Sequence, residues 1–172
     1  PLGNHTVWGR VLDKDGGFLG MRIDWIAGSL PAGHPARASG VPFHECRRGQ
    51  AWRWGEVAFE FLHPGPEPVR GAKSPTNASS CVLRVTAPAA RALLTGDLEA
   101  AQERTLVQRH GAAGLRSDVM LAPHHGSGTS SSAEFLAAVA PSYAIAQVGY
   151  RNRFGHPAPR VVARYRAADI PL

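Results

Sequence analysis

The sequence has no long apolar run: none of its segments approaches the ~18 consecutive apolar residues that span a bilayer, and it has no signal peptide. It also has no internal repeat and no low-complexity segment. Only two cysteines are present, Cys46 and Cys81. Their spacing is not the C-x-x-C of a zinc knuckle or redox pair, although a disulfide between them stays open. These absences predict a soluble globular chain, and 172 residues suffice for one domain with a buried core.

Acidic residues are scarce relative to basic ones. Thirteen Asp and Glu oppose 19 Lys and Arg, which gives a formal charge of +6 and a pI near 10.1. Almost all of the basic residues are arginines, whose planar guanidinium suits bidentate contacts to phosphate. The balance favours a polyanionic partner, although an arginine- and alanine-rich composition is also what a GC-rich genome would produce.

The order of apolar segments predicts an α/β layered sheet. Strands are expected at 22–28, at 52–64 as a strand or hairpin, at 80–88 and 90–97 paired around a turn at Pro88, at 117–123, and at 142–149 as a buried strand. Helices are expected at 98–111 with Gly111 as the stop, at 131–141 with Ser132 as a cap, and at 156–170. Residues 21–172 are predicted to form the domain. Residues 1–20 lack periodicity and are interpreted as a tag remnant or a discontinuous segment.

Polar side chains follow three successive predicted strands. Asp97 follows the first, the adjacent His124 and His125 follow the second, and Asn152 and His156 follow the third. In open α/β sheets the loops beyond the carboxyl ends of the strands form the ligand crevice. A carboxylate with imidazoles suits zinc or manganese, which would lower the pKa of a bound water toward ~7. Singly, each residue is also compatible with a turn, a cap or a solvated loop.

The motifs "LLTGDLE", "DVMLAPHHGSGTSSS" and "NRFGHP", in this order, resemble the C-terminal metallo-β-lactamase-like domain of ComEC-type DNA-internalisation (competence) proteins. The likeness runs over about residues 57–170 and includes "TNASSCVLRV". It implies a metallo-β-lactamase-like αβ/βα sandwich, incomplete in its N-terminal half. It also implies a domain on the outer face of the cytoplasmic membrane that is tethered to a channel domain of the same protein, handles single-stranded DNA, and is monomeric when isolated.

Carried over by position, the resemblance assigns roles to individual residues. Asp97, His124 and His156 match metal ligands, while His125 matches a catalytic or substrate contact; which of the two adjacent histidines is the ligand stays open, with His124 favoured. Substrate contacts are implied for Asn77, Ser80, Ser127, Thr129 and Asn152. Arg151 and Arg153 beside Asn152 are predicted to bind phosphates, the alternative being a solvated loop.

One motif departs from the family pattern. The His-x-Asp-x-Asp-His string that supplies the first-site ligands is absent, and its nearest counterpart is "DKDGG", with Asp13 and Asp15 as candidate water-orienting residues. Two explanations compete: the numbered sequence joins segments that are not adjacent in the complete polypeptide, or the first metal site has been lost. The first predicts a metal-dependent phosphodiesterase that degrades the non-imported strand during natural transformation. The second predicts a non-catalytic DNA-guiding or channel-gating module.

Overall fold

The computed structural model describes residues 5–12, 18–25, 46–66 and 75–172, of which 5–12, 18–25 and 75–76 are described by their backbone alone. Strands β1 (His5–Leu12) and β2 (Phe18–Trp25) pair antiparallel in a two-stranded sheet. The strand predicted at 22–28 overlaps the second half of β2, and its remainder lies outside the described residues. Asp13 and Asp15 also lie outside them.

A second, six-stranded sheet contains the remaining described strands in chain order, namely β3 (Ala51–Trp54), β4 (Val57–His63), β5 (Val82–Thr86), β6 (Arg91–Leu94), β7 (Val119–Leu121) and β8 (Tyr143–Ile145). The first four strands form an antiparallel meander, whereas β6, β7 and β8 run parallel. The predicted hairpin at 52–64 is confirmed as β3 and β4, joined through Gly55 at φ +57°. The predicted pairing around Pro88 is confirmed as β5 and β6.

Four helices lie in the described part of the chain: α1 (Pro75–Ala78), α2 (Ala100–Leu115), α3 (Ala133–Val139) and α4 (Pro159–Ala167). Parallel neighbours need a crossover connection, and α2 and α3 provide it between β6, β7 and β8. A one-turn 3-10 segment, Pro123–Gly126, follows β7 directly. The chain is therefore mixed α/β, as the sequence predicts.

Three helix predictions can be compared with these bounds. Ser132 caps α3 as predicted, since its side chain accepts a hydrogen bond from the Phe135 N–H at 3.3 Å. The helix predicted to stop at Gly111 is broken there by a φ of +59° but resumes to Leu115. The prediction that the last helix begins at His156 is wrong: α4 begins at Pro159, since proline is well suited to a first helical position.

The core lies between the sheet and the three longer helices. Leu93 and Met120, neighbours on β6 and β7, are fully buried against residues of all three helices, such as Leu106, Phe135 and Tyr165. Their solvent-inaccessible side chains make this the apolar interior that stabilises the fold. The predicted βα alternation thus yields one layer of helices on one face of the sheet.

The opposite face of this sheet is also apolar. Phe59 and Val85 are paired there, Trp52 stacks on Phe59 with ring centroids 5.0 Å apart, and Leu121 pairs with Ile145. Ile145 is 51% exposed on the edge strand β8. The strand predicted at 142–149 is present as β8, but the prediction that it is buried is wrong, because only alternate residues of the strand face the helices.

Cys46 and Cys81 form a disulfide, with their Cα atoms 6.0 Å apart, which ties the segment before β3 to the start of β5. Among the helices of the described ranges, none has the length and hydropathy needed to cross a membrane.

Candidate functional site

The carboxyl ends of the three parallel strands bring the predicted site residues to one edge of the sheet. Asp97 lies three residues beyond β6, His124 and His125 lie in the 3-10 segment after β7, and His156 lies in the loop after β8. Because β6, β7 and β8 are immediate neighbours, these loops are neighbours as well. The His124 N–H donates to the Gly96 carbonyl at 2.9 Å, which joins the first loop to the second.

The first loop is fixed by a glycine and a serine. Gly96 has φ +57°, and a β-carbon there would lie 3.1 Å from the Ser80 Cβ and 3.2 Å from the Cys81 carbonyl oxygen. Only glycine avoids both the strained backbone and this close approach. The Asp97 N–H donates to Ser80 Oγ at 3.1 Å. Ser80, predicted as a substrate contact, thus holds the Asp97 loop in place.

Asp97 and His125 form a contact between an acidic and an imidazole side chain of the site. His125 Nε2 lies 3.3 Å from Asp97 Oδ1, and His125 Nδ1 lies 2.7 Å from the Gln147 carbonyl oxygen. A carbonyl only accepts, so Nδ1 is the protonated nitrogen in this contact. Nε2 then faces a carboxylate oxygen that also only accepts. The pair is favourable when a cation lies between the two atoms, either the second proton of an imidazolium or a metal ion.

His124 is held through both ring nitrogens. Asn77 Nδ2 lies 3.4 Å from Nε2, and Thr129 Oγ1 lies 3.4 Å from Nδ1. Thr129 also donates to Glu99 Oε1 at 3.1 Å, and this carboxylate oxygen is 3.7 Å from His124 Nδ1. Asn77 and Thr129, predicted as substrate contacts, therefore lie against His124. The sequence favours His124 as the metal ligand, and in the structure His125 is the histidine that lies against Asp97.

The two adjacent histidines adopt an unusual backbone conformation. His124 has φ +50° and His125 has φ +57°, both in the left-handed region that residues with a β-carbon rarely enter. Two such residues in succession turn the rings apart, with centroids 6.4 Å apart and planes at 60°. As a result His125 contacts Asp97 while His124 contacts Asn77 and Thr129. Backbone strain of this kind concentrates at functional sites.

His156 approaches the site from the third loop. Its ring centroid is 6.1 Å from that of His124. The Phe154 ring stacks on the His156 ring with the two centroids 5.8 Å apart. Burial, together with the positive potential of His124 and His125, lowers the pKa of His156 below its usual range. The buried Nδ1 of His156 has no hydrogen-bond partner among the described atoms. The lowered pKa disfavours the charged form of the ring, and its buried Nδ1 is an unpartnered polar atom among those described.

Asn152 positions His156 through its backbone. Its Oδ1 accepts from the His156 N–H at 2.9 Å, and its Nδ2 donates to the His156 carbonyl at 2.8 Å. These two hydrogen bonds involve both polar atoms of the Asn152 side chain, which the sequence analysis predicts to contact substrate. The remaining predicted contacts lie around the site: Ser127 is buried with its Oγ 3.2 Å from Thr129 Oγ1, while Arg151 and Arg153 are exposed on the third loop.

Two residues of the site were missed by the sequence analysis. Glu99, which contacts Thr129, is part of the same "GDLE" motif as Asp97 and could have been noticed there. Arg160, in the first turn of α4, lays its guanidinium against Gly128, in the space that a β-carbon would occupy. No local pattern links Arg160 to the 127–129 loop, since the contact depends on how α4 packs.

A divalent metal fits the chemistry of these donors, but the described residues fall short in number. A carboxylate, imidazoles and an unpartnered buried nitrogen suit zinc or manganese. In the part of the chain that the structure describes, however, no three His, Cys, Asp or Glu side chains form a group that could hold a metal ion. A complete site would need a further ligand or a rearrangement of these side chains. Asp13 and Asp15, the predicted catalytic carboxylates, lie outside the described residues.

No protein-family model matches the chain, but several individual proteins are similar to it. The chain is 43% identical over 161 residues to competence protein ComA of Neisseria gonorrhoeae, an alignment that covers 93% of the chain and 22% of that protein. It is 33% identical over 128 residues to ComE operon protein 3 of Bacillus subtilis, covering 74% of the chain and 16% of the relative. Recombination protein 2 of Haemophilus influenzae is 34% identical over 119 residues, covering 69% and 14%.

The chain therefore spans less than a quarter of the length of these relatives. The similarity to these three proteins confirms the predicted resemblance to competence-related proteins.

Proposed function

We propose that this chain is a DNA-handling domain of a DNA-uptake protein, and that the strand-end site acts on the phosphodiester backbone. The observation that carries the proposal is the convergence of the Asp97–His125 pair, His124 and His156 at the ends of three adjacent strands. The likeness to competence protein ComA supports DNA as the substrate. The formal charge of +6 supports a polyanion in general.

The fold we propose is one half of a metallo-β-lactamase-like αβ/βα sandwich. Its support is the apolar face opposite the helices, on which Trp52, Tyr143 and Ile145 are 39%, 61% and 51% exposed. An apolar sheet face of this breadth gains free energy when a second layer covers it. A second sheet with its own helices would complete the four layers.

The finer activity we propose is metal-dependent hydrolysis of the DNA strand that is not imported. A divalent ion would neutralise charge on the phosphoryl group and supply an activated water. Within this chain, Asp97 and His125 would bind the cation, and His156 would add a nitrogen donor. Gln147 fixes the tautomer and orientation of His125, while Arg160 and Arg151 would bind flanking phosphates.

A second candidate is a non-catalytic DNA-guiding or channel-gating module. The contacts of His124 favour it, because both ring nitrogens are engaged by Asn77 and Thr129, so that neither is directed at a metal. In this case the exposed arginines would bind the phosphates of the DNA backbone.

We further propose that the domain lies on the extracytoplasmic side of the membrane, attached to a channel domain of the same protein. The Cys46–Cys81 disulfide supports this location, since disulfides persist in oxidising compartments and are rare in the cytosol. The small share of its relatives that the chain spans leaves room for such a channel domain.

The first prediction concerns cleavage of single-stranded DNA with added manganese or zinc. We expect Asp97→Asn to lower the cleavage rate by at least about 10- to 100-fold, because the substitution removes the charge opposite His125. Glu134→Gln is the matched control, since it neutralises an exposed carboxylate in the first turn of α3, and it should leave the rate unchanged. The measurement is the initial rate on an end-labelled oligonucleotide.

Two outcomes would decide between the candidates. Equal cleavage by the wild type and Asp97→Asn would remove the site from catalysis. DNA binding that persists in chelator, without cleavage at any metal concentration tested, would favour the guiding module.

A further inference from the structure

The loop between β8 and α4 presents aromatic rings to solvent beside the site. Tyr150 is 90% exposed and Phe154 is 67% exposed, although both are large side chains that usually contribute to a core. They flank Arg151, Asn152 and Arg153 in the sequence "YRNRF". The candidate site described above uses none of the exposed ring surface.

This loop has a defined conformation. The two hydrogen bonds between the Asn152 side chain and the His156 backbone close it, and the Asn152 N–H donates to the Gly149 carbonyl at 3.2 Å. Arg151 has φ +52°, which turns its side chain relative to those of its neighbours. The backbone segment that carries the two exposed rings is therefore closed by hydrogen bonds.

An arginine side chain lies over each of the two rings. The guanidinium carbon of Arg151 lies 5.3 Å from the centroid of the Tyr150 ring, and that of Arg153 lies 4.9 Å from the centroid of Phe154. Cation–π pairs of this kind place a positive charge and an exposed aromatic surface side by side. A nucleotide offers the complementary pair, a flat base and a negative phosphate.

The charge of the surrounding segment is of one sign. Residues 141–168 contain no Asp or Glu and five arginines, Arg151, Arg153, Arg160, Arg164 and Arg166. This composition repels cationic and attracts anionic partners. Phe154 also stacks on His156, so that a ligand on the loop would lie directly beside the candidate site.

We propose that Tyr150 and Phe154 form a base-stacking surface for unpaired nucleobases, with Arg151 and Arg153 binding the adjoining phosphates. The inference rests on the proposed DNA-handling function and gives it a means of selecting single strands. In a duplex the faces of the bases are covered by their neighbours, whereas a single strand leaves them free to stack on protein rings. The stacked base would set the position of the next phosphodiester at the strand-end site.

The second prediction tests this surface by fluorescence anisotropy at one fixed salt concentration. Two labelled oligomers of equal length are compared, oligothymidylate and an abasic deoxyribose-phosphate chain that keeps every phosphate and lacks every base. We expect the wild type to bind oligothymidylate more tightly. Tyr150→Ala should weaken binding to oligothymidylate by about 5- to 150-fold and change binding to the abasic oligomer less than about twofold.

Matched variants separate stacking from other effects. Tyr150→Phe keeps the ring and should bind as the wild type does, while Tyr143→Ala removes an exposed tyrosine on β8, outside the loop, and should have no effect. Arg151→Ala should weaken both oligomers alike. Thermal unfolding of each variant checks that the fold is retained, as expected for a side chain that is 90% exposed.

The outcomes distinguish this inference from the function on which it rests. If the wild type binds both oligomers equally, or if Tyr150→Ala weakens neither or both alike, the stacking surface is refuted and DNA handling stands. If the wild type binds neither oligomer, both proposals are refuted.

Discussion

At the scale of single residues, Glu103 is a buried acidic side chain outside the site. It is fully buried in α2, and its carboxylate oxygens accept the N–H groups of Ser131 and Ser132 at 2.6 and 2.8 Å. Arg164 donates to the carbonyls of Ser130 and Ser131 at 2.6 and 3.0 Å. These bonds satisfy the polar backbone of the serine-rich segment that follows the paired histidines. Glu103 is thus a positioning residue for the loop that carries Thr129.

The third prediction concerns Glu103→Gln. The amide places an N–H₂ where a backbone N–H already donates, so we expect a loss of about 1–3 kcal/mol in the free energy of unfolding near pH 7.5. Urea denaturation measures this loss. Glu134→Gln, which changes an exposed carboxylate, is the control and should be within about 0.5 kcal/mol of the wild type.

The difference in stability between the wild type and Glu103→Gln should also depend on pH, and the direction of the Glu103 pKa shift gives its sign. Burial raises the pKa of Glu103 above 4.5, against the lowering effect of its hydrogen bonds. The folded state then holds the proton more tightly than the unfolded chain, so the stability from protonated Glu103 is complete below pH 4.5 and is lost as pH rises through the folded-state pKa. The stability difference between wild type and Glu103→Gln should therefore decrease over that range. A stability difference that increases with pH would contradict a raised pKa for Glu103.

At the scale of elements, the site depends on the junction between the 3-10 segment after β7 and the start of α4. Gly126 has φ +77°, and a β-carbon there would lie 2.8 Å from Pro157 Cβ and 3.1 Å from Pro157 Cα. The Ala158 N–H donates to the Gly126 carbonyl at 2.9 Å. This contact brings the second and third loops together and with them His125 and His156.

The fourth prediction is that Gly126→Ala destabilises the protein by about 1–3 kcal/mol, since it combines a left-handed backbone with a clash against a rigid ring. Gly149→Ala is the matched control, because nothing lies within 4 Å of its β-carbon position, and it should be near neutral. Chemical denaturation of both variants gives the comparison. An equal effect at the two positions would contradict the junction as described.

At the scale of the whole molecule, the disulfide links distant parts of the sheet. Cys46 precedes β3 and Cys81 precedes β5, and the two cysteines are 35 positions apart in sequence. The covalent link restricts the unfolded chain, and it also holds the segment with Ser80, which supports the Asp97 loop. Stability and site geometry are therefore coupled through one bond.

The fifth prediction is that replacing both cysteines by serine lowers the free energy of unfolding by about 2–4 kcal/mol. Unfolding of the wild type with and without a reductant should show a loss of similar size, and reductant should not alter the double variant. A wild type that is insensitive to reductant, in the same assay, would contradict a structural role for the disulfide.

Much of the local structure follows from the sequence alone. The β3–β4 hairpin, the β5–β6 pair around Pro88 and the Ser132 cap each depend on alternation or on a turn or capping residue within a few positions. The errors occur where packing decides: Ile145 is exposed because it lies on the sheet face opposite the helices, and His156 lies in a loop before α4 that the Asn152 side chain closes.

For the site, the sequence determined which residues follow the strand ends, because the order of apolar segments and polar motifs along the chain fixes it. Only the tertiary structure decided which of them meet. Two successive left-handed residues send His125 to Asp97 and His124 to Asn77, and helix packing brings Arg160 to Gly128. The physical reason is that side-chain direction depends on backbone angles and on contacts between distant segments. The spacing of residues along the sequence does not specify either of them.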